Sequence, residues 1–288
     1  MKLTDISYIK SQMEEYSVNF KKKFGQNFLT NESVVQRIAD NAAEGVLEIG
    51  PGLGVLTYEL CKRAKKVVAV EIDDTIIPLL TKNLAEFDNV KIINTDVMKV
   101  DIKKLIEEEF ADCETVSVCA NLPYYITTPV IMALAESGAP FESVTVMIQK
   151  EVVQRLCAAP GTAEYGSISA SLSYYGKCKK LFDVSAGNFI PMPKVDSAVM
   201  RIDFHKEPPV DCDPKMLMKV IRGAFSQRRK TLVNSLGSEF SQYNKTQLAE
   251  FITSIGLDAT VRGEKLSLEQ FAALANAIMQ NAECRVQN

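Results

Sequence analysis

The 288-residue chain reads as an α/β protein: a doubly wound parallel sheet followed by a small all-helical C-terminal domain. Three observations carry this reading. From Val46 onward, short apolar runs alternate with helix-like stretches, the βα alternation of a parallel sheet. A glycine loop joins the first apolar run to the first such helix. After Phe204 strand character fades and helical periodicity takes over. Length alone suggests about two domains at roughly 150 residues each.

Residues 1–20 read as an amphipathic or loosely ordered arm, followed by the basic triplet Lys21, Lys22 and Lys23. The first domain is expected over 21–206. Its strands fall at 46–49, 67–70, 90–93, 115–119 and 143–148, and a late strand at 197–204 closes the sheet. A helix runs from about Val55 to Arg63, and another begins at Asp73 or Asp74. The proline-rich stretch 207–214 is a linker. The second domain, 207–288, holds helices near 215–236, 245–255 and 267–281.

Rare residues exclude several chemistries. The chain has one histidine, His205, and no tryptophan, so multi-histidine metal sites are impossible and a Ser-His-Asp triad could draw only on His205. Seven cysteines include no CxxC pair, which argues against zinc and for free thiols in a reducing cytosol. No metal is expected. The first ten residues lack the apolar core of a secretory signal, and no run approaches the ~18 apolar residues of a membrane span. A cytoplasmic protein is expected. The net charge of −3 gives no global argument for nucleic-acid binding, so any such argument rests on local clusters.

The loop from Glu48 to Gly54 carries glycines at 50, 52 and 54. Glycine permits positive φ and close ligand approach. A dinucleotide fingerprint needs G-x-G-x-x-G to seat a pyrophosphate, but its third position here is Val55. The G-x-G-x-G spelling, with an acid just before it, suits a ligand without pyrophosphate, such as S-adenosylmethionine. Glu71 ends the second strand, where a carboxylate can accept from two ribose hydroxyls. Asp96 follows the third strand and could accept from an adenine amino group. Asn121 follows the fourth. Helix capping is the alternative reading for Glu71 and Asp96.

Asn121-Leu122-Pro123-Tyr124 suits methylation of an aromatic amine. The Asn121 side-chain oxygen and a backbone carbonyl, expected at Leu122, can both accept from an NH2 group and so hold its lone pair toward a methyl donor. Pro123 stiffens the turn, and Tyr124 offers a face to an unstacked base. No strong base is needed, since the amine becomes acidic only once methylated. A tight turn with Tyr124 in the core is the plainer alternative.

These residues resemble the ribosomal RNA adenine dimethyltransferases, most of all their bacterial small-subunit branch. The likeness runs from about Phe24 into the C-terminal helices. It rests on Phe24–Leu29 (FGQNFL), Glu48–Gly54 (EIGPGLG), Asn121–Tyr124 (NLPY), Asn188–Val199 (NFIPMPKVDSAV) and Arg228–Leu232 (RRKTL). It implies a Rossmann-like class I methyltransferase domain using S-adenosylmethionine. Gln26, Asn27 and Leu29 would close over the methionine end of the cofactor. Gly50, Glu71, Asp96 and Asn121 would line the rest, beside Gly52 and Gly54. Phe189 would face Tyr124 as a second aromatic wall, on a loop that two prolines keep extended. The implied substrate is a pair of adjacent adenosines in a hairpin near the 3′ end of 16S rRNA, dimethylated in the immature small ribosomal subunit during its biogenesis. A monomer is expected.

Basic clusters supply candidate phosphate contacts: Lys21, Lys22 and Lys23 near the cofactor lid, and Arg222, Arg228, Arg229 and Lys230, where a spacing of three to four residues would put Arg222, Ser226 and Arg229 or Lys230 near one helical face. Further clusters lie at Lys62–Lys66 and Lys177–Lys180; a solvated face is the plainer reading of each. Three other functions are weighed: a ribosome-binding assembly factor without catalysis, a nicotinamide-dependent oxidoreductase, and the relative that methylates large-subunit RNA. The intact Asn121–Tyr124 motif, Val55, and the extended C-terminal domain argue against them in turn.

Overall fold

The computed structural model describes residues 3–16 and 27–286. In chain order its elements are α1 (Ile6–Glu15), β1 (Phe28–Leu29), α2 (Glu32–Ala39), β2 (Gly45–Ile49), α3 (Val55–Cys61), β3 (Lys66–Glu71), α4 (Ile77–Asn83), β4 (Val90–Asn94), α5 (Ile102–Glu109), β5 (Val116–Asn121), α6 (Thr127–Glu136), β6 (Ser143–Gln149), α7 (Lys150–Leu156), α8 (Ser167–Tyr175), β7 (Gly176–Val184), β8 (Phe189–Ile190), β9 (Ser197–Phe204), α9 (Pro214–Ala224), α10 (Leu232–Leu236), α11 (Lys245–Ser254) and α12 (Leu268–Val286). Two compact units emerge. One comprises the chain through Val153 together with Cys178–Phe204. The other comprises Gln154–Lys177 and the chain from His205.

The first unit holds a seven-stranded sheet in the order β4-β3-β2-β5-β6-β9-β7. β2 through β6 pair in parallel, and β9 runs antiparallel to β6. The central strands are buried along nearly their whole length, which explains their continuous apolar runs rather than alternation. Chain order reverses between β2 and β5, so a crevice opens at the carboxyl ends of these strands. A second, two-residue sheet pairs Phe28 with Ile190 and Leu29 with Phe189.

Of the two readings of the N-terminal arm, residues 3–16 follow the amphipathic one and not the loosely ordered one; residues 17–20 lie outside the described residues. Asp5 caps α1 by accepting from the Tyr8 N–H, and Leu3, Ile9 and Met13 pack into the core of the first unit. Tyr8 donates its hydroxyl to Asn83 at 2.8 Å, and Asn83 donates to the Leu53 carbonyl at 2.9 Å. Through Asn83 the helix therefore braces the glycine loop.

The second unit is helical. Asp213 caps α9, with Pro214 in the first turn, where a missing N–H costs nothing. An Asn244–Gln247 capping box opens α11. Leu217, Ile221, Leu236, Phe240, Ile252 and Phe271 fill its core. The stretch expected as one helix over 215–236 is two. α9 ends at Ala224, the 226–229 stretch turns, and α10 starts at Leu232. The Ser226 hydroxyl bonds the Ser235 carbonyl, and Ser235 in turn bonds the Gln227 carbonyl. These side-chain bonds hold a turn where periodicity suggests continuation. The expected break after 206 lies beside the observed one at 204/205, whereas residues 154–177 fall unexpectedly within the helical unit.

Candidate active site

A cleft of about 290 Å³ lies in the first unit at the carboxyl ends of β2, β3, β4 and β5. Gly50 and Gly52 line it with φ of 69° and 57°. A β-carbon on Gly52 would come 3.0 Å from the Phe28 ring, while one on Gly50 would meet nothing within 4 Å. The first glycine thus leaves room on the cleft side that any side chain would fill. Gly54 serves otherwise. It lies outside the lining residues, and with φ of 82° its β-carbon would sit 2.8 Å from Leu80 Cδ1. The third glycine lets α3 start close against α4, a packing role that the spacing of the loop does not reveal.

Glu71 is 5% exposed and bridges the glycine loop to its own strand end. Its Oε2 accepts from the Gly52 N–H at 3.1 Å and its Oε1 from the Asp73 N–H at 2.9 Å. Burial raises its pKa above the ordinary carboxylate value, against the lowering by those N–H groups. The cap of the following turn is Asp73, which accepts from the Thr75 N–H. Asp96 does cap its turn, accepting from the Met98 N–H at 2.9 Å, and it also lines the cleft.

At the other end, Asn121 donates its side-chain N–H to the Asn27 carbonyl at 3.1 Å. A carbonyl can only accept, so this bond fixes the amide's orientation and leaves Oδ1 as the free acceptor. Asn27 and Leu29 line the cleft with Asn121, Leu122, Pro123, Tyr124 and Phe189. Tyr124 is half-buried, and its hydroxyl lies 2.8 Å from Ser197 Oγ. Phe189 is more enclosed, packed in the core cluster with Leu29 and Phe28, and the Ile190–Pro191 peptide that follows it is cis. The Leu122 N–H is taken by the Met147 carbonyl, which rigidifies the turn from behind.

Of the expected site residues, Gln26 and the triplet Lys21–Lys23 lie outside the described residues. The cleft gathers the other residues expected to hold the cofactor or the target base, except Gly54; Arg222, Arg228, Arg229 and Lys230 are not among its lining residues. Glu48, Phe28 and Tyr125 also line it, with no role assigned from sequence. Glu48 is visible there as the acid before the glycines, and Tyr125 as the neighbour of Tyr124.

The basic residues are less free than their spacing suggests. Arg222 pairs with Glu239 at 3.0 Å. Arg228 donates to the Ala163 and Tyr165 carbonyls. With α9 ending at Ala224, the single helical face expected for Arg222, Ser226 and Arg229 or Lys230 does not form; Arg229 and Lys230 sit exposed on the turn. Lys62 and Arg63 pair with Glu59, Lys65 with Glu44, Lys66 with Glu109, Lys179 with Asp203 and Lys180 with Asp183. These runs are solvated, paired faces.

Comparison with known proteins then gives a consistent result. A family model described as ribosomal RNA adenine dimethylase matches residues 17–280. The Ribosomal RNA small subunit methyltransferase A of Bacillus licheniformis is 43% identical over 278 residues, covering 94% of this chain and 95% of its own. Its Bacillus cytotoxicus counterpart is 45% identical over 277 residues with the same coverage. Among solved structures, a dimethyladenosine transferase from Plasmodium falciparum superposes with a TM-score of 0.76 at 23% identity, over 88% of this chain and 98% of that one. The 23S rRNA methyltransferase ErmE gives 0.67 at 24% identity, over 88% and 100%. These two structures share the fold.

Proposed function

The chain belongs to the ribosomal RNA adenine dimethylase family, and from that premise we propose that it dimethylates two adjacent adenosines in a hairpin near the 3′ end of 16S rRNA, in the immature small ribosomal subunit. It is an S-adenosylmethionine-dependent rRNA adenine methyltransferase with a Rossmann-like fold. The small-subunit target is supported by the curated relatives, whose names specify that subunit.

The cleft suits the cofactor: positive-φ glycines with open space at Gly50, a carboxylate at the end of β3, and predominantly apolar walls. When bound, S-adenosylmethionine supplies an electrophilic methyl group on a sulfonium. Glu71 would hold ribose hydroxyls and Asp96 the adenine amino group. Asn27 and Leu29 would border the methionine end, with Gln26 beside them in sequence.

The observation that carries the reading is the Asn121–Asn27 bond. It fixes the amide of a residue that lines the cleft and leaves Oδ1 as an acceptor. With the Leu122 carbonyl, it would take the two N–H groups of an adenine amine and turn the lone pair outward. After one transfer a single N–H remains, so one acceptor suffices to hold the monomethylated base for the second. After two transfers no donor remains and the base loses this anchor, which favours release. Tyr124 and Phe189 would flank the ring, and stacking is worth roughly 1–3 kcal/mol per base. His205 takes no part: it belongs to the helical unit, with its ring nitrogen near the Ser173 carbonyl.

Arg229 and Lys230, exposed on their turn, remain the phosphate contacts we assign, with Lys21, Lys22 and Lys23. The proposal extends to a monomer acting in the cytoplasm, where ribosomes are assembled. No helix among the described residues is long and apolar enough to cross a membrane. The test is transfer of labelled methyl from S-adenosylmethionine to undermethylated small subunits, with large subunits in parallel. Label appearing as dimethyladenosine in the small subunit alone is expected. Label in the large subunit, or in neither while cofactor binds, overturns the assigned substrate.

A further inference from the structure

The cleft contains an acid that the methyl transfer leaves idle. Glu48 sits on β2, two residues before Gly50, and lines the same cleft as Glu71. It is 1% exposed, and its Oε2 has no hydrogen-bond partner. Among the described residues no lysine or arginine pairs with it. An ionised carboxylate in such a place is costly unless a positive charge comes to it.

Every neighbour that acts on it electrically is neutral or acidic. Glu71 faces it from β3, Thr57 and Cys61 from α3, and Cys119 from β5. Burial pushes both thiols up to about 12, so neither carries charge at neutral pH. In the register row that runs Glu48, Cys119, Thr145, Arg201, the first cation is three strands away and already engaged by Asp203. Burial pushes the Glu48 carboxyl up to about 8, the Thr57 hydroxyl opposing and the Glu71 charge adding. With no positive charge beside it the group holds its proton at neutral pH.

A cation entering the cleft reverses that balance, since an opposite charge nearby favours the ionised acid. S-adenosylmethionine carries one positive charge more than the S-adenosylhomocysteine left after transfer, because the sulfonium becomes a thioether. We propose that Glu48 is a specificity-determining residue that separates the charged cofactor from its spent form: its O–H bond breaks when the sulfonium enters, the proton leaving to solvent, and re-forms with a proton from solvent once the sulfonium has lost its methyl. This rests on the cofactor reading above. It follows that the preference for S-adenosylmethionine over S-adenosylhomocysteine rises with pH up to about pH 8 and then levels, because only the first ligand's binding expels a proton.

The test is calorimetric titration of the full-length protein with each ligand at about pH 7, in buffers of different ionisation enthalpy, for wild type and Glu48→Gln. Taking the difference between the two proteins cancels protons contributed by the ligand's own amino group. On binding S-adenosylmethionine, wild type is expected to release roughly half a proton or more in excess of what Glu48→Gln releases, with no such difference for S-adenosylhomocysteine. Equal proton counts in two proteins that both bind the cofactor overturn the proposal and leave the cofactor reading intact. Failure of wild type to bind either ligand overturns both. Should Glu48→Gln not fold, the infrared difference spectrum of wild type decides. Loss of a protonated-carboxyl C=O band on adding S-adenosylmethionine, but not S-adenosylhomocysteine, supports the assignment, and its persistence overturns it.

Discussion

The two ends of the cleft are built by different means. At the glycine end the work is done by backbone within one short stretch of chain. Gly50 and Gly52 take left-handed φ, and two peptide N–H groups hold the Glu71 carboxylate. At the target end the work is done by side chains and strands from distant stretches. Asn121 is fixed by Asn27, 94 residues away, and Tyr124 lies against Ser197, 73 residues away. Phe189 is positioned by a strand pairing with Leu29. A site half written in local spacing and half in long-range contacts should respond to substitution differently at its two ends.

The largest expected effect is at the target end. Asn121→Ala removes the only side-chain acceptor assigned to the amine. Turnover should fall about 100- to 1000-fold, the loss typical of a preorganised polar group at a reacting centre, while RNA affinity measured by filter binding stays near wild type. Undiminished turnover would mean the base is positioned by stacking alone. Next comes the glycine end. Glu71→Ala should weaken calorimetric S-adenosylmethionine binding about 10- to 100-fold, since hydrogen bonds to a charged group contribute about 1.5–3 kcal/mol. An unchanged Kd would leave Glu71 only its bracing of Gly52.

Gly54→Ala separates backbone architecture from ligand contact. The positive φ and the close Leu80 methyl should cost about 1–3 kcal/mol in urea unfolding, with cofactor affinity of the folded protein little changed. A large affinity loss without destabilisation would return Gly54 to the ligand. The smallest effect belongs to Tyr124→Phe, which keeps the ring and loses only the contact with Ser197. A severalfold decline in turnover is expected, in line with a net hydrogen bond of about 1 kcal/mol. A decline as deep as that of Asn121→Ala would assign the hydroxyl a part in the chemistry.

The same contrast explains what is legible in the sequence. The parallel strands are legible because their buried runs leave a plain apolar signature, and Gly50, Gly52, Glu71 and Asp96 because strand ends and loop spacing set their places. Asn27, Leu29 and Phe189 are legible through family likeness alone; nothing in their local pattern reveals that residues 28–29 pair with 189–190. The packed helix α1 resembles an arm in sequence because its buried face, Ile9 and Met13, is only two residues deep. The turn after Ala224 resembles helix because its residues are tolerable helix formers, and the serine bonds that decide the matter span nine residues forward from Ser226 and eight back from Ser235. Glu48 stands out in sequence as part of a motif, but its lack of a partner is a property of the fold.

The pairing of β1 with β8 also orders events during synthesis. A chain emerging from the ribosome can assemble β2, β3 and β4 as they appear, because each lies close in sequence to the strand before it, and β5 can then add to the exposed edge of β2. The clasp cannot shut until Phe189 and Ile190 have been made, long after Phe28 and Leu29. Closing so wide a loop carries an entropic cost that only the finished contacts offset. A nascent chain can therefore shape its glycine loop early, but it completes the target pocket only after the β8 residues have emerged.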